Sequence, residues 1–376
     1  MLRSLFLLLP VVLAAGVLAA APADMESPAS AEACGRCHRA IHEAWKTSAH
    51  ARAMESRLFQ DALELAESES NGMARKLCLG CHAPVAVRTG DLALRTKVGW
   101  EGVTCDFCHS IQDVSLAPGN ARFKVEFSLV KSGPSKLASS PGHATVYSPV
   151  HSSSVTCAPC HDYKNSLGFP VLTTYSEWKE SRAAREGKTC QSCHMYRVAG
   201  QVVDPRIQRS GEAKVNLHQM PGSHSLEQLI KTISANLVTA RESDQLKVTV
   251  EVTNRIAGHF VPTGSALRQI VLEVNVESYD GGRFRGERVY RRRVADQQGN
   301  PLEREHLAIL KGAKVLSDTR LASEEKRTET FSFPVPKGVQ ARVKADFWYY
   351  YSPMARSEAQ KRLKFLTVQR LAKPGQ

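Results

Sequence analysis

Outside five short segments, this chain of 376 residues contains no cysteine. All ten cysteines belong to one repeated pattern, Cys-x-x-Cys-His, and every copy lies before Met195. No thiol is therefore left over for a separate set of disulfide bonds. The copies are Cys34–His38, Cys78–His82, Cys105–His109, Cys157–His161 and Cys190–His194.

The repeated pattern is the attachment signature of c-type haem. Its two thiols add to the two vinyl groups of a porphyrin, and the adjacent imidazole becomes the proximal iron ligand. We therefore predict five covalently attached haem c groups. The predicted thioether cysteines are Cys34, Cys37, Cys78, Cys81, Cys105, Cys108, Cys157, Cys160, Cys190 and Cys193, and the predicted proximal ligands are His38, His82, His109, His161 and His194.

Two other uses of Cys-x-x-Cys are a zinc site and a thioredoxin-like redox pair. Zinc sites would combine the pairs two by two and leave one pair over. They would not need a histidine at the same offset each time, and redox pairs would not need it either. The sequence thus favours covalent haem over both alternatives.

The N-terminus has one basic residue, Arg3, followed by an apolar run and then small residues, which is the layout of a secretory signal peptide. We predict residues 1–23 as the signal peptide, with cleavage after Ala23 and with Ala19 or Ala20 as alternative sites. The alternative is a membrane anchor, but the run from Leu5 to Ala21 is interrupted by Pro10 and is short for a bilayer span of about 20 residues. No later segment is apolar enough to cross a membrane. We expect a periplasmic or extracellular protein with no transmembrane segment after processing.

The formal net charge is +13, with 50 Lys and Arg against 37 Asp and Glu. Each bis-histidine haem lowers this total by about 1 when oxidised, because its two propionates outweigh one ferric charge. The corrected charge argues against a nucleic-acid partner. It favours redox partner proteins, since excess basic residues can steer docking to an acidic surface. The sequence is also compatible with a homo-oligomer.

The two halves of the chain differ in their patterns. Residues 24–233 have few large apolar residues and only short regular patterns, so we predict a mainly helical and loop-rich pentahaem cytochrome c domain. In residues 234–376, segments such as Leu246–Asn254 alternate apolar and polar residues with period two. We predict an immunoglobulin-like β-sandwich there, with a helical tail from Ser357 to Leu371. The expected fold is therefore α+β with two domains.

The first motif continues as C-G-R-C-H-R-A-I-H-E-A-W-K-T-S-A-H-A. With Trp45, Ser48, His50 and Ala51 at these positions, the segment from Cys34 to Ala53 resembles the opening of the cytochrome c-554 family. The resemblance implies a tetrahaem electron carrier of bacterial nitrogen metabolism, whose partner is hydroxylamine oxidoreductase. This chain departs from that family in carrying a fifth motif and a long C-terminal extension.

The sixth ligand of each iron has to come from outside the motifs. Thirteen histidines less the five proximal ones leave eight, which is enough for five bis-histidine haems. The resemblance implies that His50, in the W-x-x-S-x-H-A element, ligates a haem other than the one just attached. A helix from His38 to His50 would stay on one haem face, which also requires His50 to serve another haem. Met54, Met195 and Met220 remain alternative ligands.

Further candidate distal ligands lie in loops. His143 and His151 lie close after prolines, and His151 stands six residues before Cys157, an arrangement that recurs in multihaem cytochromes. His218 and His224 flank a Pro-Gly turn. We predict that one of these two is a ligand, with His224 preferred.

His259 is the candidate ligand in the C-terminal half. It lies in G-H-F-V-P-T-G, which resembles an element of many multihaem cytochromes, on a loop stiffened by Pro262. We predict that His259 supplies a sixth ligand and so pins the sandwich to the haem half. The alternative is a histidine that only hydrogen-bonds within its loop or to a propionate. His42 is interpreted as a neighbour of the first haem, and His306 as a surface residue.

Three functions are compatible with this sequence. The favoured one is an electron-transfer protein that passes single electrons along mostly bis-histidine haems. The second is a reductase of a small nitrogen or sulfur oxyanion, which needs a haem with an open sixth position. The third is the repeating unit of a conductive cytochrome filament. No Ser-His-Asp set, phosphate loop or paired acid motif stands out in the C-terminal half, so we name no catalytic residue and favour a carrier over an enzyme.

Overall fold

The computed structural model describes residues 28–375, apart from 71, 117, 137, 209–213, 353, 356 and 358–360. The predicted signal peptide, residues 1–23, lies outside the described residues. Within the described ranges, no helix is both long and apolar enough to cross a membrane.

Short helices and two-stranded sheets make up the N-terminal half. The helices are α1 Ala31–Gly35, α2 Arg39–Lys46, α3 Arg57–Ser70, α4 Met73–His82, α5 Pro84–Thr89, α6 Lys97–Trp100, α7 Cys105–His109, α8 Ala158–His161, α9 Thr174–Lys179, α10 Arg182–Arg185, α11 Cys190–His194 and α12 Leu226–Thr232. The strands are β1 Ile111–Ser115, β2 Arg122–Val125, β3 Val130–Gly133, β4 Ala144–Tyr147, β5 Asp162–Lys164, β6 Pro170–Thr173, β7 Arg197–Ala199 and β8 Lys214–Asn216. They pair two by two in chain order.

Two of the motifs start directly at a helix cap. The hydroxyl of Thr104 accepts the N–H of Phe107 at 3.2 Å, so α7 begins at Cys105. The hydroxyl of Thr189 accepts the N–H of Ser192 at 3.3 Å, and α11 begins at Cys190, directly after Thr189. About one helical turn then separates the first thiol of the motif from its histidine, which puts both on one side of the helix.

The second half of the chain is rich in long antiparallel strands. Its elements are β9 Ile233–Glu242, β10 Gln245–Asn254, β11 Gln269–Ser278, β12 Arg283–Tyr290, β13 Arg292–Ala295, α13 Glu305–Lys311, β14 Lys314–Asp318, β15 Lys326–Phe333, β16 Ala341–Tyr350 and β17 Arg362–Ala372. One sheet has the order β15-β10-β9 and the other the order β12-β11-β16-β17, while β13 and β14 form a separate pair.

The two larger sheets share one apolar core. Along β10 every second side chain, from Leu246 to Val252, is fully buried, as the period-two pattern predicts. These side chains lie in the same cluster as Ile270 and Leu272 of β11 and Phe347 of β16. Burying one such side chain stabilises the fold by about 1.5–3 kcal/mol, so this core holds the two sheets together.

The predicted helical tail from Ser357 to Leu371 is wrong. Arg362–Ala372 forms β17, an edge strand antiparallel to β16. The register of this pair shifts between Phe347 and Trp348 of β16. Phe365 of β17 has no partner at that point and forms a bulge, and its side chain is buried. This bulge breaks the two-residue alternation of apolar side chains, so the pattern no longer resembles a regular strand.

The interpretation of His306 as a surface residue is also wrong. Helix α13 packs against α3, and only 3% of the surface of His306 is exposed. Its Nε2 lies 3.1 Å from Oε2 of Glu69, and Nη1 of Arg304 lies 3.3 Å from the other oxygen of that carboxylate. The polar stretch E-R-E-H-L gives no local sign of this contact, because its partner is far away in the sequence.

Candidate haem sites

Thiols of different motifs lie next to one another. The thiol of Cys34 lies close to that of Cys105, and Cys81 and Cys160 form a second such pair. Cys157 and Cys190 form a third pair, in which the neighbouring thiol lowers the pKa of Cys190 to about 7 and raises that of Cys157. The five motifs are therefore gathered in one region, although many residues separate them in the sequence.

Other thiols in this region are held in the neutral form. Burial raises the pKa of Cys78 to about 11 and that of Cys108 to about 12. Thiols with such pKa values stay protonated at neutral pH, whereas metal coordination and nucleophilic attack require the thiolate. In this environment neither thiol is activated as a nucleophile.

Three pairs of imidazoles face each other at nearly the same distance. The ring centres are 6.1 Å apart for His38 and His143, 6.2 Å for His50 and His161, and 6.4 Å for His109 and His218. Two metal–nitrogen bonds along one line would put the ring centres about 6.3 Å apart, at usual metal–imidazole lengths. The spacing of these rings therefore fits an iron between them, and in each pair one member belongs to a motif.

Hydrogen bonds orient most of these rings in the same way. A carbonyl oxygen accepts the Nδ1–H of each ring, which leaves Nε2 as the nitrogen available to a metal. The distances are 2.8 Å from His38 to Val202, 2.7 Å from His109 to Ser132, 2.6 Å from His194 to Pro221, 2.7 Å from His218 to Asn216, 3.0 Å from His143 to Ala144 and 2.9 Å from His259 to Phe260.

His50 and His161 lie in the interior. The Nδ1 of His50 is 2.9 Å from the sulfur of Met220, and burial lowers the pKa of His50. Burial also lowers the pKa of His161, to about 3. Much of the surface of His161 is nevertheless uncovered by other side chains. An enclosed ring with an uncovered surface lines an internal space, which fits a haem lying against it.

His151 is a second imidazole near His109. Their ring centres are 5.6 Å apart, and the Nε2–H of His151 donates to the carbonyl of Cys108 at 2.9 Å. Its Nδ1 is buried and has no hydrogen-bond partner in the described part of the chain. Two rings thus lie near His109. The distance between the ring centres of His109 and His218, 6.4 Å, matches an iron between the rings, whereas the 5.6 Å between His109 and His151 is shorter.

The remaining candidates are not brought opposite a motif histidine in the same way. His224 is exposed and stacks on Tyr351, with ring centres 4.7 Å apart. His42 stacks on Trp45 at 5.8 Å. Among the methionines named as alternatives, Met54 lies in an apolar core with Leu63 and Leu79.

His82 has a different neighbour. Phe59 stacks on its ring with centres 3.9 Å apart, and within the described residues no imidazole pairs with it near 6 Å. Burial, and to a smaller extent the nearby positive charge of Arg268, lower the pKa of His82 to about 4. His194 likewise has no imidazole at that spacing in the described ranges, although it is close enough for its charge to lower the pKa of His259.

A buried ion pair fixes the loop that carries His259. The N–H of Phe260 donates to Oε2 of Glu177 on α9 at 3.1 Å, and Nη1 of Arg320 lies 2.8 Å from the other oxygen. The guanidinium of Arg320 also covers the ring of Phe260 at 4.9 Å. The His259 loop of the β-rich half is thereby joined to the N-terminal half.

Sequence reasoning missed Glu177, Arg320 and Arg268. A single charged residue in a polar segment has no pattern that marks it as buried. Their partners lie elsewhere in the chain, so only the folded arrangement reveals them.

The comparisons with known proteins agree with this geometry. The family model for "Cytochrome c554 and c-prime" matches residues 33–110. Cytochrome c-554 of Nitrosomonas europaea is 31% identical over 114 residues, which cover 26% of this chain and 48% of that protein. The chain is a cytochrome c-554-like multihaem cytochrome. These matches support covalently bound haem c in this chain.

The similarity in fold extends beyond the segment that matches by sequence. A penta-heme cytochrome c552 from Thermochromatium tepidum superposes on this cytochrome with a TM-score of 0.72 at 22% identity, covering 92% of this chain and 100% of that one. By contrast, the cytochrome spans about half the length of its curated relative. The fold is therefore shared over nearly the whole chain, including the β-rich half.

Proposed function

We propose that this cytochrome is a periplasmic or extracellular pentahaem electron carrier. The observation that carries the proposal is the gathering of all five Cys-x-x-Cys-His motifs in one region, with the thiols of three pairs of motifs close together. When bound, haem iron supplies the reversible one-electron step between its ferric and ferrous states. Because the motifs are adjacent, electrons can pass between neighbouring cofactors without a moving carrier.

The proposed axial ligands follow from the ring spacings. We assign His38 with His143, His109 with His218, and His161 with His50. We assign His194 with His259, because its charge is near enough to lower the pKa of His259. The carbonyl oxygens that accept from Nδ1 hold each ring in one orientation and raise its strength as a ligand.

The chain's residues also control the surroundings of each haem. Buried side chains such as Phe107 and Leu79 exclude water from the motif region, and burial is one of the factors that set a haem's reduction potential. The N-terminal residues 1–23 supply the proposed export signal. Acidic surfaces on redox proteins are the proposed docking partners, since the chain has an excess of basic residues.

For the β-rich half we propose an immunoglobulin-like arrangement. Two features support it: the sheet orders β15-β10-β9 and β12-β11-β16-β17, and the single core between them. In such sandwiches the first, second and fifth strands share one sheet. Numbered within this half without the β13–β14 pair, β9, β10 and β15 are these strands.

Intact-mass spectrometry and electron paramagnetic resonance of the purified protein test the carrier proposal. The expected mass is that of the chain after loss of about 23 residues, plus five haems. The expected resonance spectrum is dominated by low-spin haem, and a potentiometric titration should show five reversible one-electron steps. Four haems or fewer, or steps that are not reversible, would contradict the proposal.

A second function is favoured by the surroundings of His82. We propose as the alternative that the haem at this motif has an open sixth position and reduces a small nitrogen or sulfur oxyanion. Its support is the absence, within the described residues, of an imidazole near 6 Å from His82, together with the nearby charge of Arg268. A high-spin signal equal to about one haem in five in the resonance spectrum is the expected result. Wholly low-spin haem would exclude this alternative and leave the carrier.

A further inference from the structure

Met220 has an unusual backbone conformation in the segment between β8 and α12. Its φ is +47°, in the left-handed region that a residue with a long side chain rarely adopts. The next residue is Pro221, whose ring restricts the backbone of Met220 further. Such conformations cost free energy and persist only where the surrounding structure holds them, which is often at functional sites. Contacts on both sides of Met220 therefore have to fix it.

Hydrogen bonds to two other parts of the chain hold the residues that follow Met220. The carbonyl of Pro221 accepts the Nδ1–H of His194, a motif histidine, at 2.6 Å. The carbonyl of Ser223 accepts the hydroxyl of Tyr351, from the β-rich half, at 3.2 Å. The backbone on this side is therefore anchored at both halves of the protein, and it directs the side chain of Met220.

The sulfur of Met220 lies against the ring of His50. Its distance from Nδ1 of His50 is 2.9 Å, and because a thioether can only accept, the Nδ1–H must be the donor. This leaves Nε2 of His50 as the nitrogen available to iron. The backbone of His50 is fixed as well: its carbonyl accepts the N–H of Val103 at 3.0 Å, and a Cβ at Gly102 would collide with the same oxygen. Both sides of this contact are therefore held in place.

The acceptor at His50 differs in kind from the acceptors at the other rings. In the described part of the chain, the other histidines with a hydrogen-bonded Nδ1 donate to backbone carbonyl oxygens at 2.6–3.0 Å. A carbonyl oxygen is a strong acceptor, whereas a thioether sulfur is a weak one. A weak acceptor polarises the N–H bond less, so it raises the basicity of the ring less. His50 is therefore a less basic ligand than a ring that donates to a carbonyl.

We propose that Met220 is a positioning residue that raises the reduction potential of the haem at the fourth motif above the value that a carbonyl acceptor would give it. A less basic imidazole stabilises the ferric state less, so the iron accepts an electron more readily. The haem at this motif thus becomes a better electron acceptor for its neighbours. This inference rests on the proposed carrier function and on the assignment of His50 opposite His161, whose ring centres are 6.2 Å apart. It adds a residue that sets the direction of transfer.

A thioether is also an axial iron ligand in some cytochromes, and this second role for Met220 has different consequences. If the sulfur of Met220 took the place of His50 at the iron, removing it would open the sixth position and give a high-spin haem. If the sulfur only accepts from His50, the haem stays low-spin without it and its potential alone changes. Spin state and potential therefore separate the two roles.

The test compares Met220→Leu and Met220→Gln with the parent, using potentiometric titration and electron paramagnetic resonance of the haem-loaded full chain. Leucine keeps the apolar volume but has no acceptor, so the potential of the haem at the fourth motif should rise. Glutamine has a similar length and presents an amide oxygen, so that potential should fall. Each change should alter the ratio of reduced to oxidised haem at a fixed potential about 2- to 10-fold, the range of one neutral hydrogen bond. The haem is identified as the one whose low-spin signal is lost in His50→Ala.

Met73→Gln is the matched control, since 79% of the surface of Met73 is exposed, and it should leave every potential unchanged. A potential that falls in the order leucine, methionine, glutamine is a result that a purely structural role for Met220 would not produce. The rise in Met220→Leu decides by itself if Met220→Gln fails to assemble.

Three results would overturn the proposal. Equal potentials in the parent and both variants, with reversible steps, would remove the role of Met220 and leave the carrier function intact. Steps that are not reversible in the parent would overturn the carrier function as well. A high-spin haem in Met220→Leu would show that the sulfur of Met220 is itself the iron ligand.

Discussion

Oε1 of Glu177 and Nη1 of Arg320 lie 2.8 Å apart, with only 9% and 8% of their side-chain surfaces exposed. Glu177 belongs to the haem half and Arg320 to the β-rich half. The same carboxylate accepts the N–H of Phe260, next to His259. One buried carboxylate therefore connects the two halves at the loop that carries a proposed iron ligand.

Glu177→Gln should destabilise the protein by about 1–3 kcal/mol, because it removes the negative charge but keeps an acceptor for Phe260. The loss of stability should be smaller than if Arg320 were left without any carboxylate partner, because Arg320 keeps its ion pair with Asp318 at 2.7 Å. Urea unfolding of the haem-loaded protein measures it. Glu186→Gln is the control: its partner Arg182 has 62% of its side-chain surface exposed, so the change should stay within about 0.5 kcal/mol. Equal effects in the two variants would contradict the role given to Glu177.

Gly258→Ala tests the packing at the same junction. A Cβ there would come within 2.9 Å of the Cβ of Ala183 and 3.2 Å of Trp178 Cδ1. We expect a loss of about 1–3 kcal/mol from overpacking. Gly338→Ala has nothing within 4 Å of the added carbon and serves as the control. If both variants unfold at the same urea concentration as the parent, the close approach of the two halves is not maintained in solution.

His50→Ala should convert one haem of the five to high spin. The affected haem should be the one attached at Cys157 and Cys160, because the ring of His50 faces that of His161 at 6.2 Å. Electron paramagnetic resonance measures the change, and added imidazole should reverse it by refilling the space. His42→Ala should leave the spectrum as in the parent. A parent-like spectrum for His50→Ala would remove His50 from the ligand set.

The pKa of Glu305 gives a prediction about pH. Burial raises it from 4.5 to about 7, so between these values the native state binds more protons than the unfolded state. The contribution of Glu305 to stability is therefore most favourable below pH 4.5 and is lost as the pH rises through about 7. Glu305→Gln removes this dependence. Its stability relative to the parent should rise between pH 4.5 and 7 and then level off, as measured by urea unfolding at each pH. A constant difference would contradict the raised pKa.

Local patterns predicted much of this architecture. The motifs require only five neighbouring residues each, and the alternation in β10 is visible in the sequence itself. The resemblance carried by Trp45, Ser48 and His50 is confirmed by the family match. These signals are local, so one sequence is enough to read them.

Other features depend on contacts between distant residues. Phe365 disturbs the apolar alternation of β17 because it sits in a bulge, and the resulting pattern led to a wrong helix. His306 is buried by Glu69, which belongs to a helix in the other half. The assignment of His143 and His218 as distal ligands stays a prediction from the sequence. The structure adds the distances of their ring centres from those of His38 and His109.

The fourth motif, Cys157–His161, is called motif 4 here, and its thiols lie near those of three other motifs. Its cysteines lie close to Cys81 of the second motif and Cys190 of the fifth, and Cys108 of the third motif is also near both of them. The first motif contacts the third. With a haem at each motif, we expect an electron path that branches at motif 4 and ends at the first, second and fifth motifs.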